Sequence, residues 1–206
     1  MTSSPPRIER RNRHHVFETA AGFCGIAWNE AGVVRFRLPS RDAGAAERLL
    51  LRGFDSTAAA PPPRIDTIIA AARRYFDGAP IDFSDVPLDL DAEDDLFRRI
   101  YEALRAVPWG STTTYGALAK AIGGGPTMAR DVGQAMGNNP VPLIIPCHRV
   151  LAAGGKPGGF SAPGGVGTKR HMLKLEGIDL DAAQPTPQST SKASRAPDPA
   201  QRGFGF

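Results

Sequence analysis

The chain is expected to be an α/β protein, with a small sheet and its helices in the first half and a mainly helical second half. Three observations predict this. The stretch HVFETAAGFCGIAWNEAGVVRFRLP alternates short β-prone runs with the turn signals AAG and NEAG. Beyond it, apolar residues recur at helical spacing in several separate segments. The composition, 41% hydrophobic and 22% charged over 206 residues, is that of an ordinary soluble globular protein able to bury one good core or two small ones.

The elements follow in chain order. Strands are expected near Val16–Thr19, Phe23–Trp28 and Val33–Leu38. RDAGAAERLLLR and PPRIDTIIAAARRYFDGA read as helices. In the second, Ile65, Ile68, Ile69 and Ala72 share one face, and the prolines suit its first turn. IDFSDVPLDL is extended, and a domain boundary is placed near residue 88. DAEDDLFRRIYEALRAV opens with acids, which favour a helix N-terminus, and places Leu96, Ile100 and Leu104 on one face. YGALAKAIGGGPTMARDVGQAMGNNP holds two short helices around a glycine turn, a helix-turn-helix candidate. Thr113 or Thr114 can cap the first of the pair and Thr127 the second. NPVPLIIPCHRV reads as a buried strand ending at Cys147, followed by a glycine-rich loop and a helix TKRHMLKLEG stopped by Gly177.

The domain expectation is therefore a basic arm over residues 1–14, an N-terminal domain over 15–88, a C-terminal domain over 89–180 and a disordered Pro/Ser/Ala/Gln-rich tail over 181–206. The arm is either a solvated tail or a segment drawn to phosphates. It lacks the apolar stretch of a secretory signal, and no segment is long and apolar enough to span a membrane. A formal net charge of +4 permits an acidic partner without requiring one. The two cysteines, Cys24 and Cys147, lie far apart and do not suggest a disulfide framework, so a reducing cytoplasm is the simpler expectation.

Cys147 carries the chemical question. A cysteine after an apolar run is either an inert core thiol or a mounted nucleophile. Prolines at 142 and 146 stiffen its backbone, and His148 and Arg149 follow directly, the setting in which a base or a positive field raises the thiolate population. Neighbours on a strand point to opposite faces, so His148 is expected to reach the sulfur through a water. Glu176, in the last turn of its helix, faces the negative end of the dipole and is either a solvated acid or the partner of a histidine. In ARDVGQAM, Met128, Val132 and Met136 form the packed face, leaving Ala129, Arg130, Gly133 and Gln134 outward. One long cation among small residues permits close approach to another surface, and the bland alternative is a solvated arginine.

PCHRV within NPVPLIIPCHRV, ARDVGQAM upstream, GGFSAPGG downstream and the span from TTTYGALA to LKLEG together resemble the O6-alkylguanine-DNA alkyltransferase family, the methylated-DNA–protein-cysteine S-methyltransferases. The resemblance covers the C-terminal half in order. FETAAGFCGIAW more weakly resembles the small ribonuclease-H-like α/β domain of bacterial members, which implies that domain followed by a winged helix-turn-helix-like one. By resemblance, Cys147 matches the alkyl-accepting cysteine, His148 the histidine that deprotonates it through water, and Glu176 the acid orienting that histidine. Asn139 matches the hinge asparagine, Tyr115 the tyrosine assisting the departing guanine at N3, and Arg130 the finger that fills the stack. Ala129, Gly133 and Thr127 fall on the DNA-facing helix. Val150 and Ser161 match positions whose main chain holds the base, with Phe160 and Pro142 beside them in the pocket. The implied function is single-turnover repair: a monomer flips O6-alkylguanine out of duplex DNA from the minor groove and takes the alkyl group irreversibly onto Cys147, with no cofactor.

Some residues depart from the family pattern. Asp131 occupies a position where a small residue is expected, and GGG and SAPGG point to loop-length differences. Some family members hold a structural zinc, but Cys24, His14 and His15 do not make a convincing four-ligand set, so no metal is expected. Other readings are a lesion sensor without transfer, a helix-turn-helix regulator with a structural cysteine, and a Cys–His hydrolase. The sensor would replace Cys147, the regulator would want a cation-rich recognition helix, and the hydrolase would need an oxyanion hole.

Overall fold

In a computed structural model the described residues are 10–90 and 93–180. Most of the basic arm and the whole tail beyond residue 180 lie outside them. Three antiparallel strands, β1 (Arg13–Thr19), β2 (Gly22–Trp28) and β3 (Val33–Ser40), form a meander, and a two-residue β4 (Thr57–Ala58) joins β1 in parallel to give the order β3-β2-β1-β4. The turn between β1 and β2 needs its glycine: Gly22 has φ +119°, and a Cβ there would come within 2.5 Å of the Ser40 carbonyl oxygen.

Helix α1 (Ala43–Leu51) begins where Asp42 accepts a hydrogen bond from the Ala45 N–H at 2.7 Å, and it packs on β2 and β3. The approach is close because Gly25 carries no side chain against Leu50. Helix α2 (Pro63–Phe76) starts on the expected prolines and lies against β1. Its buried stripe is Ile65, Ile68, Ile69 and Ala72, continued by Tyr75 and Phe76. Residue 88 falls in the extended connection to α3, which bridges to β3 at Val33.

Helix α3 (Asp95–Arg105) is capped by Asp94, and its face of Ile100, Tyr101 and Leu104 is buried. Helix α4 (Tyr115–Ala121) is capped by Thr114, whose hydroxyl accepts from the Ala117 N–H. Helix α5 (Ala129–Asn138) follows a 3-10 turn, Pro126–Met128. Thr127 lies inside that turn, exposed, and caps nothing: the residue before α5 is Met128, without a capping side chain. The expected cap at Thr127 is therefore corrected, because the extra turn moves the helix start past it. Val132, Ala135 and Met136 face the core.

The expected strand before Cys147 is also absent. Residues 139–146 form an irregular turn in which Pro142 bridges Ile145 and Leu143 takes φ +83°, and Cys147–Arg149 is a 3-10 turn. Pro142 and Pro146 remove two backbone donors, and a residue in the left-handed region cannot continue a strand. The strand resumes only as β6 (Val150–Leu151), paired in parallel with β5 (Thr113–Thr114). That pairing sets Tyr115, the first residue of α4, beside the turn. Helix α6 (Gly165–Leu175) closes the described chain and starts three residues earlier than its sequence pattern suggests.

One continuous apolar cluster runs from the sheet through α2 into α3, α4, α5 and the turn. The halves are also joined by hydrogen bonds: the Phe36 N–H and the Arg37 guanidinium of β3 both donate to the Pro140 carbonyl, seven residues before Cys147. No helix among the described residues is long and apolar enough to cross a membrane.

Candidate active site

Cys147 begins the 3-10 turn, its N–H donating to the Ile145 carbonyl at 2.8 Å. Asn139, directly after α5, braces the segment. Its Nδ2 donates to the Ile145 carbonyl at 2.9 Å while its Oδ1 accepts the Val141 N–H at 3.0 Å. One side chain thus satisfies the Val141 N–H and adds a second donor to the Ile145 carbonyl, tying the two ends of the irregular turn together. The thiol is buried yet forms part of the walls of two cavities of about 340 Å³ each. Tyr115, Gly133 and Gly159 line the first, and Pro142, Arg37 and Leu49 the second. Met136, Phe160 and Ser161 contribute to both. Residues from β3 and α1 therefore help to shape the space around Cys147.

His148 is fully buried, and its Nε2 lies 2.7 Å from Glu176 Oε1. Glu176 ends α6, as Gly177 at φ +80° stops the helix, and its carboxylate is surrounded by donors. Arg149 Nε donates to Oε2 at 2.9 Å and Arg149 Nη2 to Oε1 at 3.0 Å, a two-pronged pair, while Nη1 donates to the Val107 carbonyl. The Tyr75 hydroxyl donates to Oε1 at 2.8 Å. Burial alone would push Glu176 upward, but the hydrogen bonds from His148 and Arg149 outweigh it and bring its pKa to about 2. An ionised carboxylate only accepts, so the His148 nitrogen facing it carries the proton. Nδ1 is then the free base, and it is buried with no protein hydrogen-bond partner among the described residues.

Burial pushes the His148 imidazolium below its ordinary pKa and the Cys147 thiol above its own. The resting pair is thiol and neutral imidazole. Both shifts are opposed in a useful direction: Glu176 favours the imidazolium, while the Asn139 side chain and the Lys169 ammonium favour the thiolate. Lys169, on α6, is completely buried. Its Nζ donates to the Val150 carbonyl at 2.5 Å, and burial lowers its pKa to about 8. A cation held there stabilises negative charge on sulfur.

Cys147, His148, Glu176, Asn139 and Tyr115 thus converge, with Gly133, Phe160, Ser161 and Pro142 on the cavity walls. Ser161 is exposed, and its hydroxyl donates to the Gly137 carbonyl at 3.3 Å. Val150 is buried, with its N–H bonded to the Cys147 carbonyl and its own carbonyl accepting from Lys169. Arg130 stands exposed on the outer face of α5, with Ala129 half-buried and Thr127 exposed beside it, away from the thiol cavities. Lys169 and Tyr75 were not among the candidates, and Arg149, read as a positive field beside the thiol, pairs with Glu176. Lys169 was findable: Lys169, Met172, Leu173 and Glu176 recur at i, i+3, i+4 and i+7, a buried face. Tyr75 likewise extends the Ile65–Ala72 stripe, but nothing local announces a partner 101 residues away.

The 6-O-methylguanine DNA methyltransferase DNA-binding-domain model matches residues 95–178. Methylated-DNA–protein-cysteine methyltransferase of Methanothermobacter thermautotrophicus is 33% identical over 159 residues, 76% of this chain and 81% of that protein. The protein of the same name from Sulfolobus acidocaldarius is 34% identical over 81% of this chain and 94% of its own length. Among solved structures, Mycobacterium tuberculosis OGT in complex with DNA has a TM-score of 0.62 at 31% identity, covering 80% of this chain and 92% of that one. The O6-methylguanine-DNA methyltransferase of Pyrococcus kodakaraensis gives 0.60 at 26% identity, with 81% and 99% covered. The likeness extends beyond the matched domain across the sheet, and the chain belongs to the methylated-DNA–protein-cysteine methyltransferase family.

Proposed function

We propose that this protein repairs O6-alkylguanine in duplex DNA by moving the alkyl group onto Cys147 in a single turnover. The observation that carries this reading is a buried thiol opening onto a base-sized cavity, beside an imidazole fixed by a carboxylate with its free nitrogen unclaimed.

His148 Nδ1 takes the thiol proton through a water, and Glu176 stabilises the imidazolium. The sulfur attacks the alkyl carbon. An S–C bond forms, the C–O6 bond breaks, and its electron pair passes to the guanine. Tyr115, on the cavity wall, donates a hydrogen bond or proton at the ring and lowers the cost of that anion. A thioether has no ready hydrolytic exit, so each molecule acts once, and the step balances without a cofactor.

The lesion must leave the stack to reach a cavity of this depth, which costs a few kcal/mol. Exposed Arg130, flanked by Ala129 and Gly133 on α5, is suited to entering the minor groove and filling the gap. In this reading α4 and α5 act as the helix pair of a winged helix-turn-helix-like domain over 89–180. The sheet, α1 and α2 form a ribonuclease-H-like domain over 15–88, and the protein works as a monomer. A nucleophilic thiol suits a reducing cytoplasm.

The test is incubation with duplex DNA carrying radiolabelled O6-methylguanine. Label is expected on protein with one-to-one stoichiometry, on the peptide holding Cys147, and absent in Cys147→Ala. Tight lesion binding by the intact protein without covalent label would favour a sensor instead.

A further inference from the structure

Tyr75 sits at the end of α2, in the first half of the chain, yet its hydroxyl reaches the catalytic pair. The ring is completely buried, edge-on to Trp109 and Phe76 at 5.2 Å each. Its oxygen lies 2.8 Å from Glu176 Oε1 and 3.2 Å from His148 Nε2. A hydroxyl has one hydrogen, which goes to the carboxylate. Its lone pair then faces the Nε2–H that Glu176 already holds. We propose that Tyr75 is a positioning residue for alkyl transfer: its hydroxyl clamps Glu176 and the Nε2–H tautomer of His148 together, so that the N-terminal half completes the base used by the C-terminal half. This rests on His148 acting as the base for Cys147.

Three features support the clamp over simple packing. The hydroxyl is placed where a phenylalanine would fill the same volume, so burial of the ring does not require it. A buried tyrosine is kept protonated by desolvation first and by the Glu176 charge next, so it remains a donor throughout the reaction. Both Glu176 oxygens are already held by Arg149, which fixes the carboxylate but makes no hydrogen bond to the imidazole. Tyr75 touches both members of the pair.

The groups facing His148 are Glu176 and Tyr75 by hydrogen bond, Arg149 in the same turn, Lys169 from α6, and Cys147. Removing the hydroxyl relieves Glu176 of one donor, so the carboxylate holds the imidazolium more tightly. The acid limb of the rate profile then moves to higher pH. Loss of the clamp also leaves the ring free to tilt about its bond to Glu176, which slows transfer.

Tyr75→Phe retains the ring and its edge contacts. Single-turnover transfer from O6-benzylguanine to Cys147 is followed across about pH 5 to 9 for both proteins. The variant is expected to be about ten- to a hundredfold slower, the loss of one hydrogen bond to a charged group, with its acid limb displaced upward. Independently of transfer, a ¹⁵N titration of the His148 ring, assigned against His148→Gln, should show the Nε2–H tautomer that Glu176 dictates in both proteins and an imidazolium that persists to higher pH in the variant. A rate within twofold, an unmoved limb and an unmoved ring titration would overturn the clamp. So would a rate lost only in step with the thermal melting point, which marks a packing role. Absence of transfer by the wild type from O6-methylguanine in duplex DNA as well as from O6-benzylguanine would refute the base assignment itself, and the ring titration still judges the clamp.

Discussion

Glu176→Gln is the most exacting perturbation, because the structure gives its cost in two ways. The carboxylate is 3% exposed and is the counter-ion of buried Arg149. Removing one partner of such a pair leaves an uncompensated buried charge, at a cost of about 3–5 kcal/mol. The second route is linkage. The ordinary glutamate value is 4.5 and the folded value about 2. A pKa depressed on folding contributes stability that is fully present above the unfolded value and lost as pH falls through the folded one. The difference corresponds to about 3 kcal/mol. The two figures agree to within their precision. The assay is urea unfolding near neutral pH and again along an acid series. Glu176→Gln should lose about 3 kcal/mol near neutrality, a fall of about 6–12 °C in melting temperature. It should also lose the part of the acid slope that the wild type shows between the two pKa values. A variant within about 1 kcal/mol of wild type, with an unchanged acid slope, would refute a buried and densely bonded carboxylate here.

Other perturbations separate the parts of the site. Lys169→Met removes the buried cation that favours thiolate, so the pH at which iodoacetamide alkylates Cys147 should move upward while DNA affinity stays level. An unmoved pH profile would sink that role. Arg130→Ala should weaken repair of duplex lesions at least tenfold and leave transfer from free O6-benzylguanine unchanged, because the side chain is exposed on α5 and far in function from the thiol. Equal losses on both substrates would argue against a finger. Asp131→Asn removes a carboxylate from the first turn of α5, which should cost about 0.5 kcal/mol of stability and strengthen DNA binding at low salt, read from a salt titration of affinity.

Much of the fold was legible where periodicity and turn chemistry agree. The three-strand meander lies within three residues of its expected limits at every end, because AAG and NEAG mark both turns. The α2 stripe and the Thr114 cap were legible for the same reason. The failures share a cause. NPVPLIIPC reads as a strand by hydrophobicity, but Leu143 at positive φ is a backbone state that no apolar run announces. Thr127 has the chemistry of a cap, yet Pro126 begins a 3-10 turn that displaces the helix start. In the site, residues adjacent in sequence were readable, whereas Tyr75 depends on docking α2 against the end of α6. Such a contact is fixed by tertiary packing and leaves no local trace.

The assembly around Cys147 has a sign that none of its members has alone. Glu176, Arg149 and Lys169 are buried with ionised side chains, and His148 and Cys147 rest neutral. The buried centre therefore carries one surplus positive charge. In the proposed reaction, proton transfer from Cys147 to His148 would leave that sum unchanged while placing an anion near Lys169. The proposed displacement would then move negative charge outward onto the departing guanine, still within the field of the same surplus. Electrostatic stabilisation of this kind acts only if the donors are already aimed and solvent need not reorganise. Burying the cations is made tolerable by fixed carbonyls: Val150 accepts from Lys169 and Val107 from Arg149. The Val150 carbonyl directly follows the 3-10 turn of Cys147, and the Val107 carbonyl lies just beyond α3. A regular strand through Cys147 would commit its backbone groups to a ladder, and the turn instead leaves the thiol at a cavity mouth with the charges gathered behind it. The break in regular structure and the reactivity proposed for the cysteine thus have one origin.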